Sequence, residues 1–222
     1  SKLSSILKLA STPPANAFVS KENLHIRQRK YPLELFFCED CYHVQLTEVV
    51  DPIELFENYV YVSGTSPVFV EHFSNYAKNI VKTYQPSLQN YVLDIGSNDG
   101  TLLKFFKEMG YQVIGVDPAI NISKKAQQDG INTINEFFNY KTSEKIKEKY
   151  STASLITANN VFAHSDDLIG ITRAVRNLLS PNGLFVFEVS YLLDVYQKTL
   201  FDTIYHEHLS YHSVIPLIKF FQ

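Results

Sequence analysis

Tyr91-Val-Leu-Asp-Ile-Gly-Ser-Asn-Asp-Gly-Thr101 is the stretch that decides the fold. Tyr91 to Ile95 is a short apolar run of the kind buried in a parallel sheet, and Gly96 to Gly100 makes a tight turn. Thr101-Leu-Leu-Lys-Phe-Phe-Lys107 then opens a helix. Strand, glycine turn and helix together form the nucleotide-binding start of a doubly wound sheet. A dinucleotide fingerprint would place glycines at 96, 98 and 101, whereas the chain has Gly96, Asn98 and Thr101. Asp99 would also set a carboxylate where a pyrophosphate should rest on the helix N-terminus.

Acid in that loop suits a ligand that carries positive charge and no phosphate. S-adenosylmethionine, with a sulfonium and an ammonium, is the leading expectation, held by Asp94, Gly96, Ser97, Asn98 and Gly100. Working outward, strands are expected at 91–95, 112–116, 131–134, 154–158 and 184–189, with helices near 101–109, 121–129, 141–149 and 167–179. Pro181-Asn-Gly183 reads as the turn into the fifth strand. Such alternation means an α/β fold, a Rossmann-like parallel sheet with helices on both faces. The second strand ends in Asp117, about 20 residues beyond the glycine turn, where an acid hydrogen-bonds a ribose diol. The fourth runs into Thr157-Ala-Asn-Asn-Val-Phe-Ala-His164 at the carboxyl edge, which makes Asn159 and His164 site candidates. Asn135-Glu136-Phe137-Phe138 could border an adenine.

Upstream, Ser4 to Ala10 reads as a short helix, and Ser11-Thr-Pro-Pro-Ala15 as a turn or linker. Tyr31 to Phe37 reads as a strand running into Cys38-Glu-Asp-Cys41, and Tyr42-His-Val-Gln-Leu46 as its return. A C-x-x-C at a hairpin tip is half of a four-cysteine zinc site, because the turn presents two thiolates to one metal. A reduced turn with no metal is the alternative; His43 stands near, but on its strand it is expected to point elsewhere than at the metal. Ser66 to Lys82 has apolar residues at helical spacing and is expected to lead into the nucleotide domain.

The chain has 222 residues, 45% of them hydrophobic, enough for one full domain and a small appendage. Its net charge of -3 and pI of about 6.2 give no basic field for nucleic acid or an anionic membrane. No run approaches the ~18 apolar residues that span a bilayer, and no signal peptide is visible. Two cysteines so close together suit a reducing, cytoplasmic setting. Met109 is the only methionine, so the sequence does not start at an initiator residue.

Nearly the whole chain resembles the S-adenosylmethionine-dependent C-methyltransferases that act on nucleotide-linked 4-keto-deoxysugars. The resemblance runs through Thr12-Pro-Pro-Ala-Asn-Ala-Phe-Val19, Tyr31-Pro-Leu-Glu-Leu35 with Cys38-x-x-Cys41, and Tyr59-Val-Tyr-Val-Ser-Gly-Thr-Ser66. It continues through Asp94-Ile-Gly-Ser-Asn-Asp-Gly100 and Asn159-Asn-Val-Phe-Ala-His164. Its most specific block is Phe201-Asp-Thr-Ile-Tyr-His-Glu-His-Leu-Ser-Tyr211. The resemblance implies a zinc module, here residues 1–55, before a methyltransferase core at 56–222, and a sugar nucleotide as substrate. It implies that His208 is the base, assisted by Tyr59, His164, Tyr205 and Glu207. Relative to that family both ends look cut: a first cysteine pair would precede Ser1, and the last strands and a sugar-binding domain would follow Gln222.

The implied chemistry suits the residue types. A carbon beside a ketone becomes nucleophilic once a base removes its proton and the enolate oxygen is stabilised. A histidine is neutral enough near pH 7 to take that proton. Other readings of Tyr205 to His212 stay open. If helical, the segment sets His208 and His212 one turn apart as metal ligands; if extended, His206 and His208 share a face; or it is a solvated loop. At the level of function the rivals are an O- or N-methyltransferase, a nicotinamide-dependent dehydrogenase, and a non-catalytic binding module.

Overall fold

The computed structural model describes residues 2–57 and 59–222. The amino-terminal part holds strands β1 (Leu3–Thr12), β2 (Tyr31–Cys38) and β3 (Val44–Leu46) and a short helix, α1 (Pro52–Phe56). There follow α2 (Pro67–Tyr84), β4 (Tyr91–Ile95), α3 (Thr101–Glu108), β5 (Val113–Val116), α4 (Ile120–Gln128), β6 (Thr133–Ile134) and α5 (Tyr140–Tyr150). The chain continues through β7 (Ala153–Asn159), α6 (Leu168–Leu178), β8 (Leu179–Glu188), α7 (Leu192–Gln197), β9 (Ser210–Tyr211) and α8 (Val214–Phe221). Two compact units emerge, which the chain visits alternately. One comprises residues 1–55, 160–166 and 189–222, and the other 56–159 and 167–188. Residues 160–166 and 189–222, which the sequence reading groups with the methyltransferase core, thus cluster with the amino-terminal strands.

The larger unit is the expected parallel sheet, in the order β6-β5-β4-β7-β8. All five residues of β4 are buried, which is why this strand reads as an unbroken apolar run. The order reverses between β4 and β7, and it is at such a switch point that open α/β sheets hold ligands. Phe73, Ala77 and Ile80 of α2 pack with Leu102, Leu103 and Phe106 of α3 over Val92 and Leu155. Ser66 caps α2 by accepting from the Phe69 amide, with Pro67 as first helical residue, and Gln85 ends it in a left-handed conformation (φ 47°).

Local signals misplaced two features in this sheet and its neighbour. Pro181-Asn-Gly183 is no turn outside the strand but part of β8. Ala153 faces Leu179 and Leu155 faces Leu184, so the extra residues bulge within the ladder. Ser4 to Ala10 is likewise no helix: it lies in β1, paired antiparallel with β2, and Leu7 and Leu9 pack on the buried side chains of β2 and β3. Ser-Ser-Ile-Leu-Lys-Leu fits either period over so short a stretch, and pairing with β2 decides it.

The smaller unit is built on a four-stranded antiparallel sheet, β1-β2-β3-β9. Its last strand comes from the far end of the chain: Val44 pairs with Tyr211 and Gln45 with Ser210. Leu33, Leu35, Val44, Leu46, Ile204, Leu209 and Tyr211 form its core. The Tyr-His-Glu-His block therefore leads directly into a buried strand, and its helical reading, with His208 and His212 as an i,i+4 pair, is excluded.

Candidate active site

In the parallel-sheet unit the glycine turn is shaped by alternation. Gly96 (φ 67°), Asn98 (φ 50°) and Gly100 (φ 75°) all have left-handed φ, which lets the chain turn sharply between β4 and α3. A Cβ on Gly100 would come within 2.9 Å of Ile131, which fixes glycine there on space as well as dihedral. Asp117, at the end of β5, accepts from the Asn98 amide (2.9 Å) and the Ala119 amide (2.8 Å), tying the turn to the next strand. Burial pushes its carboxyl up, against those two hydrogen bonds. Asn135 reinforces the corner through the Asp117 and Pro118 carbonyls, both at 2.9 Å. Of the expected adenine border, Phe138 is buried, Phe137 is exposed, and Glu136 pairs with Lys145 at 2.6 Å.

A strap that sequence reading missed lies over this turn. The Asn98 side chain donates to the Tyr61 carbonyl (2.9 Å) and accepts from the Ser63 amide (3.0 Å), while Asp99 accepts from the Gly64 amide (3.2 Å). Asp99 also takes the Thr101 hydroxyl at 2.6 Å. The side chains of Asn98 and Asp99 are thus engaged with protein, and Asn98 shapes the turn. Tyr59 lies at the start of the same segment, its ring against Phe56 and Tyr61 (centroids 5.7 and 6.5 Å).

At the switch point, Asp94 is buried and receives the Thr157 hydroxyl at 2.6 Å. Burial drives its carboxyl up to about 7, with Asp117 adding to the shift and Thr157 opposing it. Ser97 Oγ, both amide atoms of Asn159 and the Tyr76 hydroxyl are buried without a hydrogen-bond partner of good geometry. Buried polar groups are nearly always paired, so such a set marks where a polar ligand fits. The glycine turn and these orphaned atoms fit an adenosyl donor.

The other unit gathers a different set. The Tyr205 carbonyl accepts from the His208 amide at 3.0 Å, closing a tight turn. That turn sets the rings of Tyr205 and His208 side by side, centroids 4.3 Å apart. His208 Nδ1 is 2.7 Å from the Thr203 carbonyl oxygen, which can only accept, so Nδ1 carries the hydrogen in the neutral ring. Nε2 is then the basic nitrogen, 3.1 Å from the Tyr205 hydroxyl that donates to it. His164 stacks on His208 at 5.1 Å. Both line a small recess with Asn160, Ser190 and Ser210.

Burial lowers His208, with the Thr203 carbonyl opposing, and takes His164 down to about 3, so both rings are neutral near pH 7. Tyr205 is pushed up to about 12 by burial, then by Glu207 and Asp202, and remains a proton donor. Glu207 is buried, and Asn16 donates to it at 2.6 Å. Next to it, His206 donates from Nε2 to the Tyr31 and Pro32 carbonyls (3.3 and 3.2 Å), a structural tie to β2. His212 is buried against Phe162 and His43, and burial lowers it to about 4. Asn16 and Thr203 lie in the sequence blocks that carry the resemblance but had no role assigned there: Thr203 acts through its backbone carbonyl, and Asn16 reaches Glu207 from the far end of the chain.

Cys38 and Cys41 flank the β2–β3 turn as thiols, with Cys38 buried. Burial pushes the Cys41 thiol up, and Cys38 adds to the effect. His43 bonds to Ser210 Oγ at 3.1 Å rather than completing a ligand set. Among the described residues no group of three or more His, Cys, Asp or Glu side chains could hold a metal ion, and two cysteines are too few donors to fit zinc alone.

With this geometry in hand, similarity to known proteins can be weighed. Residues 1–56 match a family model described as a zinc binding domain, and residues 69–221 match one described as a methyltransferase domain. The chain is 32% identical over 217 residues to the C-methyltransferase NovU of Streptomyces niveus, covering 98% of this chain and 52% of that protein. It therefore spans about half the length of the curated relative it matches. Among solved structures, the YcgJ protein of Bacillus subtilis aligns with a TM-score of 0.53 at 21% identity, over 68% of this chain and 66% of that one. The PH0226 protein of Pyrococcus horikoshii OT3 aligns at 0.50 and 18% identity, over 63% and 62%. At these identities the two structures speak to fold alone. No helix among the described residues is long and apolar enough to cross a membrane.

Proposed function

This chain belongs to the methyltransferase-domain family, and from that premise we propose that it methylates carbon, using S-adenosylmethionine and a nucleotide-linked 4-keto-deoxysugar. The observation that carries the reading is the fixed tautomer of His208. Its Nδ1–H is committed to the Thr203 carbonyl, leaving Nε2 as a neutral base beside a hydroxyl donor. An oxygen or nitrogen acceptor already owns a lone pair, whereas a carbon acceptor needs such a base. The name of the relative, a C-methyltransferase, supports carbon as well.

When bound, the donor supplies an electrophilic methyl group on a positively charged sulfur. The glycine turn and Asp117 hold its adenosine, and Asp94 stands where positive charge is favoured. His208 Nε2 takes the proton from the carbon beside the ketone, so a C–H bond breaks and an N–H bond forms. The electron pair moves toward the ketone oxygen, where the Tyr205 hydroxyl, kept protonated by burial, and the His164 ring are the available donors. The electron pair returned to that carbon would be available to the electrophilic methyl group that the donor supplies when bound. Glu207, held by Asn16, is the residue suited to a sugar hydroxyl.

The test is methyl transfer from a ¹³C-methyl donor to a 4-keto-deoxysugar nucleotide, with the product read by NMR. A ¹³C–¹³C or ¹³C–¹H correlation next to the ketone supports carbon; label on oxygen overturns it. Binding of NAD without binding of S-adenosylhomocysteine would remove the donor assignment altogether.

A further inference from the structure

The Tyr205 hydroxyl can donate or accept, so it does not decide which nitrogen of His208 carries the hydrogen. That choice falls to the Thr203 carbonyl, which only accepts and lies 2.7 Å from Nδ1. Whatever holds this carbonyl in place therefore decides whether Nε2 is free to take a proton. Thr203 ends a single helical turn, Phe201–Thr203, where its hydroxyl donates to the Leu200 carbonyl at 2.8 Å and its amide to the same oxygen at 3.3 Å. From strand β9, the Tyr211 hydroxyl donates to the Thr203 carbonyl itself at 3.4 Å. A carbonyl oxygen has two lone pairs, so Nδ1–H and the phenol can share it.

Tyr211 is suited to this task because the sheet fixes it. Its backbone pairs with Val44, and its buried ring packs with Leu33, Leu35 and Leu46. It also borders the recess lined by His208 and His164. A purely structural tie would add stability and leave the hydrogen of His208 where it is. A tie to the one acceptor that sets the tautomer has a chemical consequence as well. We propose that Tyr211 and Thr203 are positioning residues for His208: their hydroxyls hold the Thr203 carbonyl at Nδ1 and so keep Nε2 unprotonated. Without them the ring can pass to the tautomer with hydrogen on Nε2, which donates to Tyr205 and takes no proton from carbon. This role rests on the reading of His208 as the base and adds to it two side chains that the proton transfer itself does not use.

The full chain labelled with ¹⁵N-histidine reports the tautomer directly by NMR, His208 being the signal lost in His208→Asn. The parent should show hydrogen on Nδ1 and a bare Nε2. Tyr211→Phe keeps the buried ring and Thr203→Val keeps the shape of the side chain, each losing only a hydroxyl. Both should show the two tautomers of His208 mixed. With S-adenosylhomocysteine present, exchange in D₂O of the hydrogen beside the ketone should slow by about three- to tenfold, while KM for the sugar nucleotide stays within about twofold. Thr203→Ser, which restores the hydroxyl, should return both readouts to those of the parent. The parent's tautomer retained in either hydroxyl variant overturns the role of that residue, and a Thr203→Ser that behaves like Thr203→Val overturns the role of Thr203. If the variants mix the tautomers yet the parent exchanges no hydrogen from any 4-keto-deoxysugar nucleotide, the positioning role stands and the carbon-methylation reading falls.

Discussion

At His208 the two ring nitrogens have different tasks: one is spent on the Thr203 carbonyl so that the other stays basic. Because burial lowers this histidine below its ordinary value near 6.5, kcat/KM for methyl transfer should be flat at pH 7 to 8. It should fall only as pH drops through that lowered value. A profile still rising between pH 7 and 8 would contradict a neutral histidine base. Asp94 makes the opposite kind of prediction, about stability. Its folded value is about 7 against about 3.9 unfolded, so the folded state holds the proton more tightly. That contribution is fully present below about pH 4 and is lost as pH rises through about 7. Asp94→Asn, neutral throughout, should therefore gain in Tm over the ligand-free parent as pH goes from 4 to 8. Thermal melts that show the gap closing with pH would refute the buried-acid account.

Among the elements, the strap from Tyr61 to Gly64 is the one whose sequence gave least warning. Its partners are a side-chain amide and a carboxylate reaching backbone groups, and backbone groups leave no trace in residue type. Asn98→Ala removes two of those bonds, and Gly64→Ala drives a methyl to within 2.8 Å of the Thr101 hydroxyl. Each substitution should strip hydrogen-exchange protection from the Ser63 and Gly64 amides and weaken S-adenosylhomocysteine by about tenfold. Unchanged exchange in both variants would mean that the strap is held by something else. Strand β4 stands at the other extreme. Burial on both faces required five consecutive residues that avoid solvent, with one acid placed at the sheet edge, and that requirement is what a reader sees in Tyr91 to Ile95. Strand β9 was hidden because its two residues are defined only by pairing with Val44 and Gln45, far away in sequence.

At the scale of the whole chain, the candidate residues come from segments that return to each unit from distant parts of the sequence. The glycine turn, Asp117 and Asn159 were legible because the doubly wound sheet has a stereotyped edge, and a motif can be read against it. The companions of His208 were legible only through resemblance to a family: Tyr205 and the Thr203 carbonyl meet it within one local turn, His164 meets it by tertiary packing, and Asn16 reaches the neighbouring Glu207. That packing hangs on Tyr211, which is 2% exposed in the core of the four-stranded sheet. Tyr211→Ala should lower unfolding free energy by about 3–5 kcal/mol in urea titration. A change under about 1 kcal/mol would show that β9 does not anchor the histidine block. The central claim, that His208 removes a proton from carbon, has a more direct test than methyl transfer. A 4-keto-deoxysugar nucleotide is incubated in D₂O with the protein and S-adenosylhomocysteine, and loss of the NMR signal from the hydrogen beside the ketone is followed. The parent should exchange that hydrogen about 10²–10⁴ times faster than His208→Asn; equal rates would contradict the claim.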